Sequence, residues 1–259
     1  MKKNLAVCVV GNFNYLKKYF PQFKKNLRNH GKYYGEIIII TSIWCPTFLL
    51  FSLFGRDITI LRFKKIKFTK NTNVILNTNS SKGEPNRNIN KSFQWHKLHL
   101  FDNKLKNWNY IFYLDLKSFI HGEITQFLKF LPENELLARS DTFPEYKNTL
   151  ASQFDNNAKT FYELSKTYNL NTTNYFQSSL LFYDTKIIND ETKNDLLAMA
   201  EMFPCSITNE QAIFNLYFIF EKNQYKEIVN YIDGNLTFYY WKLKNEKVLI
   251  TKQNRTQYK

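Results

Sequence analysis

Glycine and proline are scarce, at 7 and 6 of 259 residues. That scarcity argues against glycine-rich phosphate loops and against long flexible linkers. Cysteine is rarer still. Cys8, Cys45 and Cys205 lie far apart among apolar neighbours, with no CxxC spacing and no histidine close by. Buried, reduced thiols are expected, and with them a reducing compartment. No apolar run reaches the length of a membrane span. Ile43–Phe54 contains Pro46 and stops short, and Met1-Lys2-Lys3 precedes only Leu5–Val10, which suits a first strand better than a signal peptide. A soluble, cytoplasmic protein is expected.

Acids are few in the first part of the chain. Residues 1–106 hold 20 Lys/Arg against 4 Asp/Glu, a net of +16, whereas residues 107–259 hold 16 against 18, a net of −2. All of the formal +14 therefore sits N-terminally. A polyanion, an anionic membrane surface or a phosphorylated ligand could each exploit such a field, and a Lys/Asn-rich coding bias would equally supply solvated lysines. With 44% hydrophobic residues and 17% aromatics, the chain can bury a substantial core.

Apolar runs predict strands near 5–10, 36–42, 57–63, 108–114, 136–140 and 178–184. Helical stretches are predicted near 15–29, 46–54, 91–106, 123–131, 155–168, 190–202 and 209–222. The alternation implies an α/β fold, a mostly parallel sheet with helices on both faces. Residues 64–90, basic and then Asn/Ser-rich through "NSSKGEPNRN", read as a long mobile loop beside a ligand site, and the tail "TKQNRTQYK" as frayed. No repeat and no composition shift marks a second domain.

Four stretches could carry chemistry. "VVGNFNYL" (Val9–Leu16) is a strand running into Gly11 and Asn12, a turn whose backbone N–H groups suit a nucleotide or phosphate, or simply a structural turn. In "SFQWHKLHLF" (Ser92–Phe101), Trp95, Leu98 and Phe101 share an apolar helix face, and His96, Lys97 and His99 point elsewhere. His99 alone reads as a structural histidine. "YIFYLDLKSFIHGEI" (Tyr110–Ile124) is a strand covered on both faces that ends in Asp115, where open α/β sheets place ligand crevices. Finally, "NYFQSSLLFYD" (Asn174–Asp184) puts Gln177, Ser178 and Ser179 ahead of a buried strand, and "ITNEQAIFN" (Ile207–Asn215) puts Glu210 and Gln211 in a first helical turn that Thr208 or Asn209 could cap.

Taken in order, Lys97-Leu98-His99, the strand ending in Asp115-Leu116-Lys117, "YFQSSLLFYD" and "NEQAIFN" resemble glycogenin-like glycosyltransferases of the GT-A fold. That family shows a K-L-H helix, a D-x-D strand end, an F-N-S-G strand and a D-Q-x-x-x-N helix in the same order. The resemblance implies a Rossmann-like GT-A domain over 1–259, with residues 1–117 as the nucleotide-binding half and 118–259 as the acceptor-binding half. It implies transfer of a sugar from a nucleotide donor, by family analogy a UDP-sugar, to a glycan, protein or lipid hydroxyl. Gly11, Asn12 and Tyr15 would lie near the base and ribose, and Lys97 near the diphosphate. Asp115 would match the first acid of D-x-D, and Arg139 and Asp141 would line the sugar pocket. Gln177 would take the family's Asn near the reactive face of the sugar, Glu210 would replace the donor-binding Asp, and Gln211 would match directly.

The departures are informative. Lys117 stands where D-x-D has its second acid, Ser179 replaces the glycine after Asn-Ser, and the family's late metal-ligand histidine has no counterpart because the four histidines end at His121. Mn²⁺ or Mg²⁺ would find an incomplete ligand set with Asp115 alone, since a lysine offers no oxygen. Cleaving a sugar–diphosphate bond still needs positive charge beside the leaving group. The expectation is therefore an enzyme without a metal cofactor, in which Lys117, helped by Lys97 and the lysines of 64–91, supplies that charge. Three other readings are kept: a catalytically inactive relative that binds nucleotide or glycan, a basic nucleic-acid-binding protein, and a nucleotidyltransferase. The last would need a glycine-rich loop that "VVGNFN" does not supply. Nucleic acid is not expected as a partner, because it leaves the acids and amides at the strand ends unexplained. Peripheral membrane contact is compatible with transfer.

Overall fold

The computed structural model describes residues 3–80, 92–141, 148–240, 242–252 and 256–257. Its frame is a seven-stranded sheet in the order β3-β2-β1-β4-β7-β6-β8. The strands are β1 (Lys3–Val10), β2 (Glu36–Ser42), β3 (Ile58–Phe63), β4 (Trp108–Leu114), β6 (Leu136–Ser140), β7 (Phe176–Asp184) and β8 (Tyr225–Glu227). Only β7 runs against the others, pairing antiparallel with β4 and β6. The continuous apolar runs form these strands because both faces of the sheet are covered. Val7, Val9, Ile37 and Ile39 enter one core, and Ala6, Cys8, Ile38 and Ile40 the other. All three cysteines are buried and unbridged.

The first core lies under helix α1 (Phe13–Asn29), which presents Leu16, Phe20, Phe23 and Leu27, and under α2 (Thr47–Phe54). The opposite core holds α3 (Lys70–Ser80), α4 (Lys159–Thr167), α5 (Thr192–Met202) and α6 (Glu210–Asn215), which continues as one π-helical stretch, Leu216–Glu221. A second, four-stranded sheet packs at the end of the chain: β5 (Phe119–Ile120), β12 (Val248–Thr251), β10 (Asn235–Tyr239) and β9 (Tyr231–Ile232), in that spatial order. A further two-stranded ladder joins β11 (Lys242–Leu243) to β13 (Thr256–Gln257).

Three expectations are corrected. Residues 70–80 of the expected 64–90 loop are helical. They are held by Glu201, whose carboxylate accepts from the Thr69 amide (2.6 Å) and hydroxyl (2.9 Å) and from the Thr72 hydroxyl (2.5 Å). Residues 81–91 lie outside the described residues. The 91–106 helix is two 3₁₀ segments, Ser92–Phe101 and Asn103–Asn107. The start of the expected tail, Thr251, is instead the buried end of β12; residues 253–255 and 258–259 lie outside the described residues.

Candidate active site

The site assembles at the carboxyl edge of the main sheet. The β1–α1 turn comes first. The Gly11 amide donates to the Ile40 carbonyl (3.1 Å), and Asn12 caps α1 by accepting from the Tyr15 amide (2.9 Å). A Cβ on Gly11 would lie 3.0 Å from Leu116 and 3.1 Å from Leu16, so glycine lets this turn close onto the end of β4. That end carries Asp115, whose amide donates to Ser179 of β7 (2.9 Å), fixing the acid opposite the serine pair.

A four-charge cluster grows from this acid. Asp115 Oδ1 accepts from the Tyr113 hydroxyl (2.5 Å) and from the Lys97 ammonium (3.0 Å), and Oδ2 is paired with Lys252. Lys97 also bridges to Glu210 Oε1 (2.9 Å) and lies 3.4 Å from both the carbonyl and hydroxyl oxygens of Ser178. The Ser178 hydroxyl donates to Glu210 Oε1 (3.0 Å) and its amide to Gln211 Oε1 (3.0 Å), while Gln211 Nε2 donates to Gln153 (2.8 Å). Glu210 Oε2 is buried with no partner among the described residues.

Electrostatics separates the two lysines. Burial works against the charge on Lys97, but Asp115 and Glu210 outweigh it and hold the ammonium above the ordinary lysine range. Burial likewise opposes ionised Asp115, and Lys252 and then Lys97 overcome it, keeping the carboxyl well below the carboxylate range. Lys252 ends below the lysine range, because burial and the neighbouring Lys97 together exceed the help from Asp115. Its side chain stays 22% exposed, against 8% for Lys97.

A second group lies on the other face of β7, where Tyr175 and Gln177 both donate to Asp141. Burial raises the Asp141 carboxyl above its ordinary range, with these two donors limiting the rise. Arg139 is buried, donates to Asn230 and pairs with Glu227 at 3.6 Å. Asn215 clamps the head of β7 by accepting from the Phe176 amide (2.7 Å) and donating to its carbonyl (2.9 Å).

The structure thus gathers Asp115, Lys97, Glu210 and Gln211, and joins Gln177 to Asp141. Lys117 is exposed, with its ammonium 5.8 Å from the Tyr15 ring centre and 5.0 Å from that of Tyr19. The second cation on Asp115, beside Lys97, is Lys252, which sequence reasoning missed within the expected tail. The four-residue run Val248–Thr251 was the available signal for a strand ending there. Lys117 and Lys252 line the same cavity of about 510 Å³, with Tyr19, Gln22 and Tyr240. Gln177, Ser178 and Ser179 lie inside β7 rather than ahead of it.

Two details of the motifs also differ. Neither Thr208 nor Asn209 caps α6 through its side chain. Asn209 donates to Gln94 (2.5 Å) instead, with φ of 57° and ψ of −128°, a strained turn that aims Glu210 inward. His99 and Lys97 do not reach solvent. His99 is stacked on Phe63 at 4.3 Å, meets the Lys64 carbonyl at 3.1 Å and is pushed down to about 3 by burial and by His96, so it is a neutral structural histidine.

Both oxygens of Asp115 are committed to ammonium groups, and no three His, Cys, Asp or Glu side chains converge among the described residues.

The mostly parallel sheet, with the reversed β7 set between β4 and β6, and the solved structures that share this architecture show a GT-A glycosyltransferase-like fold. No protein-family model matches the chain and no curated protein matches it by sequence. Among solved structures it is similar to the galactosyltransferase LgtC in complex with donor and acceptor sugar analogues, with a TM-score of 0.58, 13% identity, and coverage of 92% of this chain and 76% of that one. It is similar to mouse xyloside xylosyltransferase 1, with a TM-score of 0.53, 10% identity and 98% of each chain. It also matches the glycosyltransferase GlyE of Streptococcus pneumoniae TIGR4, with a TM-score of 0.52 and 17% identity, over 88% of this chain but 46% of that one, so it spans about half of GlyE.

Proposed function

We propose that the protein is a glycosyltransferase that moves a sugar from a nucleotide-sugar donor to a hydroxyl acceptor without a metal ion. The observation that carries this reading is the Asp115 carboxylate held between Lys97 and Lys252 at the sheet edge where GT-A folds bind donors. The three hydrogens of Lys97 already face Asp115, Glu210 and Ser178, so Lys97 is a positioning cation. Lys252 is held by Asp115, is partly exposed and opens onto the cavity, so its ammonium is the one that can turn to a diphosphate. In the reaction the bond from the anomeric carbon to the diphosphate oxygen breaks, with the electron pair leaving on the phosphate. The acceptor oxygen bonds to that carbon, and its proton passes to the departing diphosphate oxygen. A fixed ammonium beside the departing oxygens stabilises the charge that develops there.

Glu210 Oε2, buried and without a partner among the described residues, would accept from a donor-sugar hydroxyl, and Gln177 would face the sugar from the other side of β7. Gln211 spends both ends of its amide on Ser178 and Gln153 and holds the site rigid. Residues 1–117 would carry the nucleotide and 118–259 the acceptor, with Lys252 crossing from the second half to the first. Lys117, over the two tyrosines, would flank the nucleotide rather than replace the metal. The test is turnover across a panel of nucleotide sugars in EDTA, read as released nucleoside diphosphate. One donor turned over, with the rate lost in Glu210→Gln, is the expected result. Absence of both binding and turnover for every donor would contradict the proposal.

A further inference from the structure

Among the described residues, helix α2 and the loop before it carry an uncovered apolar surface, and it lies in the basic N-terminal part of the chain. Helix α2 buries only Leu50 and Phe54, against Phe20 and the sheet. Its other face, with the loop before it, holds Trp44 86% exposed, Phe48 71%, Leu53 49% and Phe51 38%. Phe48 and Phe51 open onto a groove of about 720 Å³ that they share with Arg56. An isolated exposed leucine is ordinary, but four large apolar side chains within ten residues are not.

Charge decides what covers them. Residues 32–80 hold seven Lys/Arg and two acids, Glu36 and Asp57. Both acids are engaged: Glu36 accepts from Trp108 Nε1 (3.0 Å) and from Thr59, and Asp57 is paired with Lys24 (2.5 Å) and Arg28 (3.0 Å). The cations flank the apolar face. The Ile43 amide donates to the Phe63 carbonyl (2.9 Å), which puts Trp44 beside the exposed run Arg62, Lys64, Lys65. Arg56 closes the other end. Tryptophan and phenylalanine ringed by lysine and arginine is the composition that an interfacial helix presents to acidic headgroups. At eight residues the helix is about 12 Å long, enough to lie along a surface but not to cross one. Among the described residues, no helix is long and apolar enough to span a membrane.

We propose that this face docks the protein onto an anionic lipid bilayer, with Trp44, Phe48, Phe51 and Leu53 entering the headgroup region and Arg56, Arg62, Lys64 and Lys65 contacting phosphate and carboxylate groups. Trp44 follows β2 at the same sheet edge as Gly11 and Asp115. Strands β2 and β4 are two spacings apart, about 10 Å. Docking therefore brings the crevice to the bilayer, within reach of a hydroxyl carried there.

The experiment is co-sedimentation of the full chain with vesicles of phosphatidylcholine alone and of equimolar phosphatidylcholine and phosphatidylglycerol. The expected result is binding to the anionic vesicles only, weakened by salt. Trp44→Ser with Phe48→Ser should cut that binding roughly tenfold or more at unchanged net charge and unchanged melting temperature, since both side chains are exposed. Arg62→Glu with Lys64→Glu should do the same. Three results would overturn the proposal: no binding to anionic vesicles, binding indifferent to the Trp44/Phe48 pair, or a dimer in solution that the same pair abolishes. None of these depends on glycosyl transfer, so the two proposals fail separately.

Discussion

Replacing Lys97 with methionine keeps the length of the side chain and removes the cation between Asp115 and Glu210. Asp115 retains Lys252, but Glu210, buried, keeps only Ser178. A buried carboxylate left without its cation costs about 3–5 kcal/mol in general. Here the loss has a ceiling, because the stranded carboxyl can take a proton. For a carboxyl of ordinary acidity at pH 7 that costs about 3.7 kcal/mol, at 1.36 kcal/mol per unit. In a chain of this size the melting temperature should fall by roughly 7–15 °C.

The pH dependence gives the sign. The variant's folded state binds a proton that its unfolded state does not, so its stability rises as pH falls toward the ordinary carboxyl range. In the wild type Glu210 stays paired with Lys97, and the gap between the two should narrow by about 1.4 kcal/mol per pH unit at most between pH 8 and pH 5. Differential scanning calorimetry of both proteins across that range is the assay. A gap below about 2 °C, or one that does not change with pH, would refute the charged cluster.

Other consequences follow from single contacts. Asn215→Leu leaves the Phe176 amide and carbonyl buried without partners, and should cost about 2–4 kcal/mol in urea unfolding. Gly11→Ala forces a Cβ to 3.0 Å from Leu116, and should lower both stability and nucleotide affinity, read by thermal shift with and without nucleoside diphosphate. Asp115 is held below its ordinary range, so its contribution to stability is full at neutral pH and lost on acidification below about pH 4, visible in an acid titration by circular dichroism. Lys252 is shifted down, so donor affinity should fall with rising pH sooner than an ordinary lysine allows, a trend calorimetric titration would detect.

The frame was legible in the sequence because strands covered on both faces are unbroken apolar runs. β2 reads "EIIIITS" and β4 "WNYIFYL", and neither could be solvent-facing. Asp115, the run Gln177, Ser178 and Ser179, and the pair Glu210 and Gln211 were legible for the same reason, since each sits at a strand end or a helix start, whereas Lys97 lies midway along Ser92–Phe101. The helix Lys70–Ser80 was not, because "KNTNVILNTNS" has weak helix propensity and is fixed by Glu201, more than a hundred residues away. Lys252 was hidden similarly. It is 137 residues from Asp115 in a polar C-terminal stretch, and only the docking of β12 against β5 brings it over. Position 117 stands out because D-x-D spacing is local, whereas both cations on Asp115, Lys97 and Lys252, come from tertiary structure.

The most direct test of the central claim is the melting temperature of wild type and Lys252→Met with nucleotide sugars, each in EDTA and in Mn²⁺. A ligand bound to the folded state raises the melting temperature by mass action. Stabilisation by one nucleotide sugar that survives EDTA and is lost in Lys252→Met is the predicted result. Stabilisation of wild type only in Mn²⁺, or kept in full by Lys252→Met, would contradict a lysine in place of the metal.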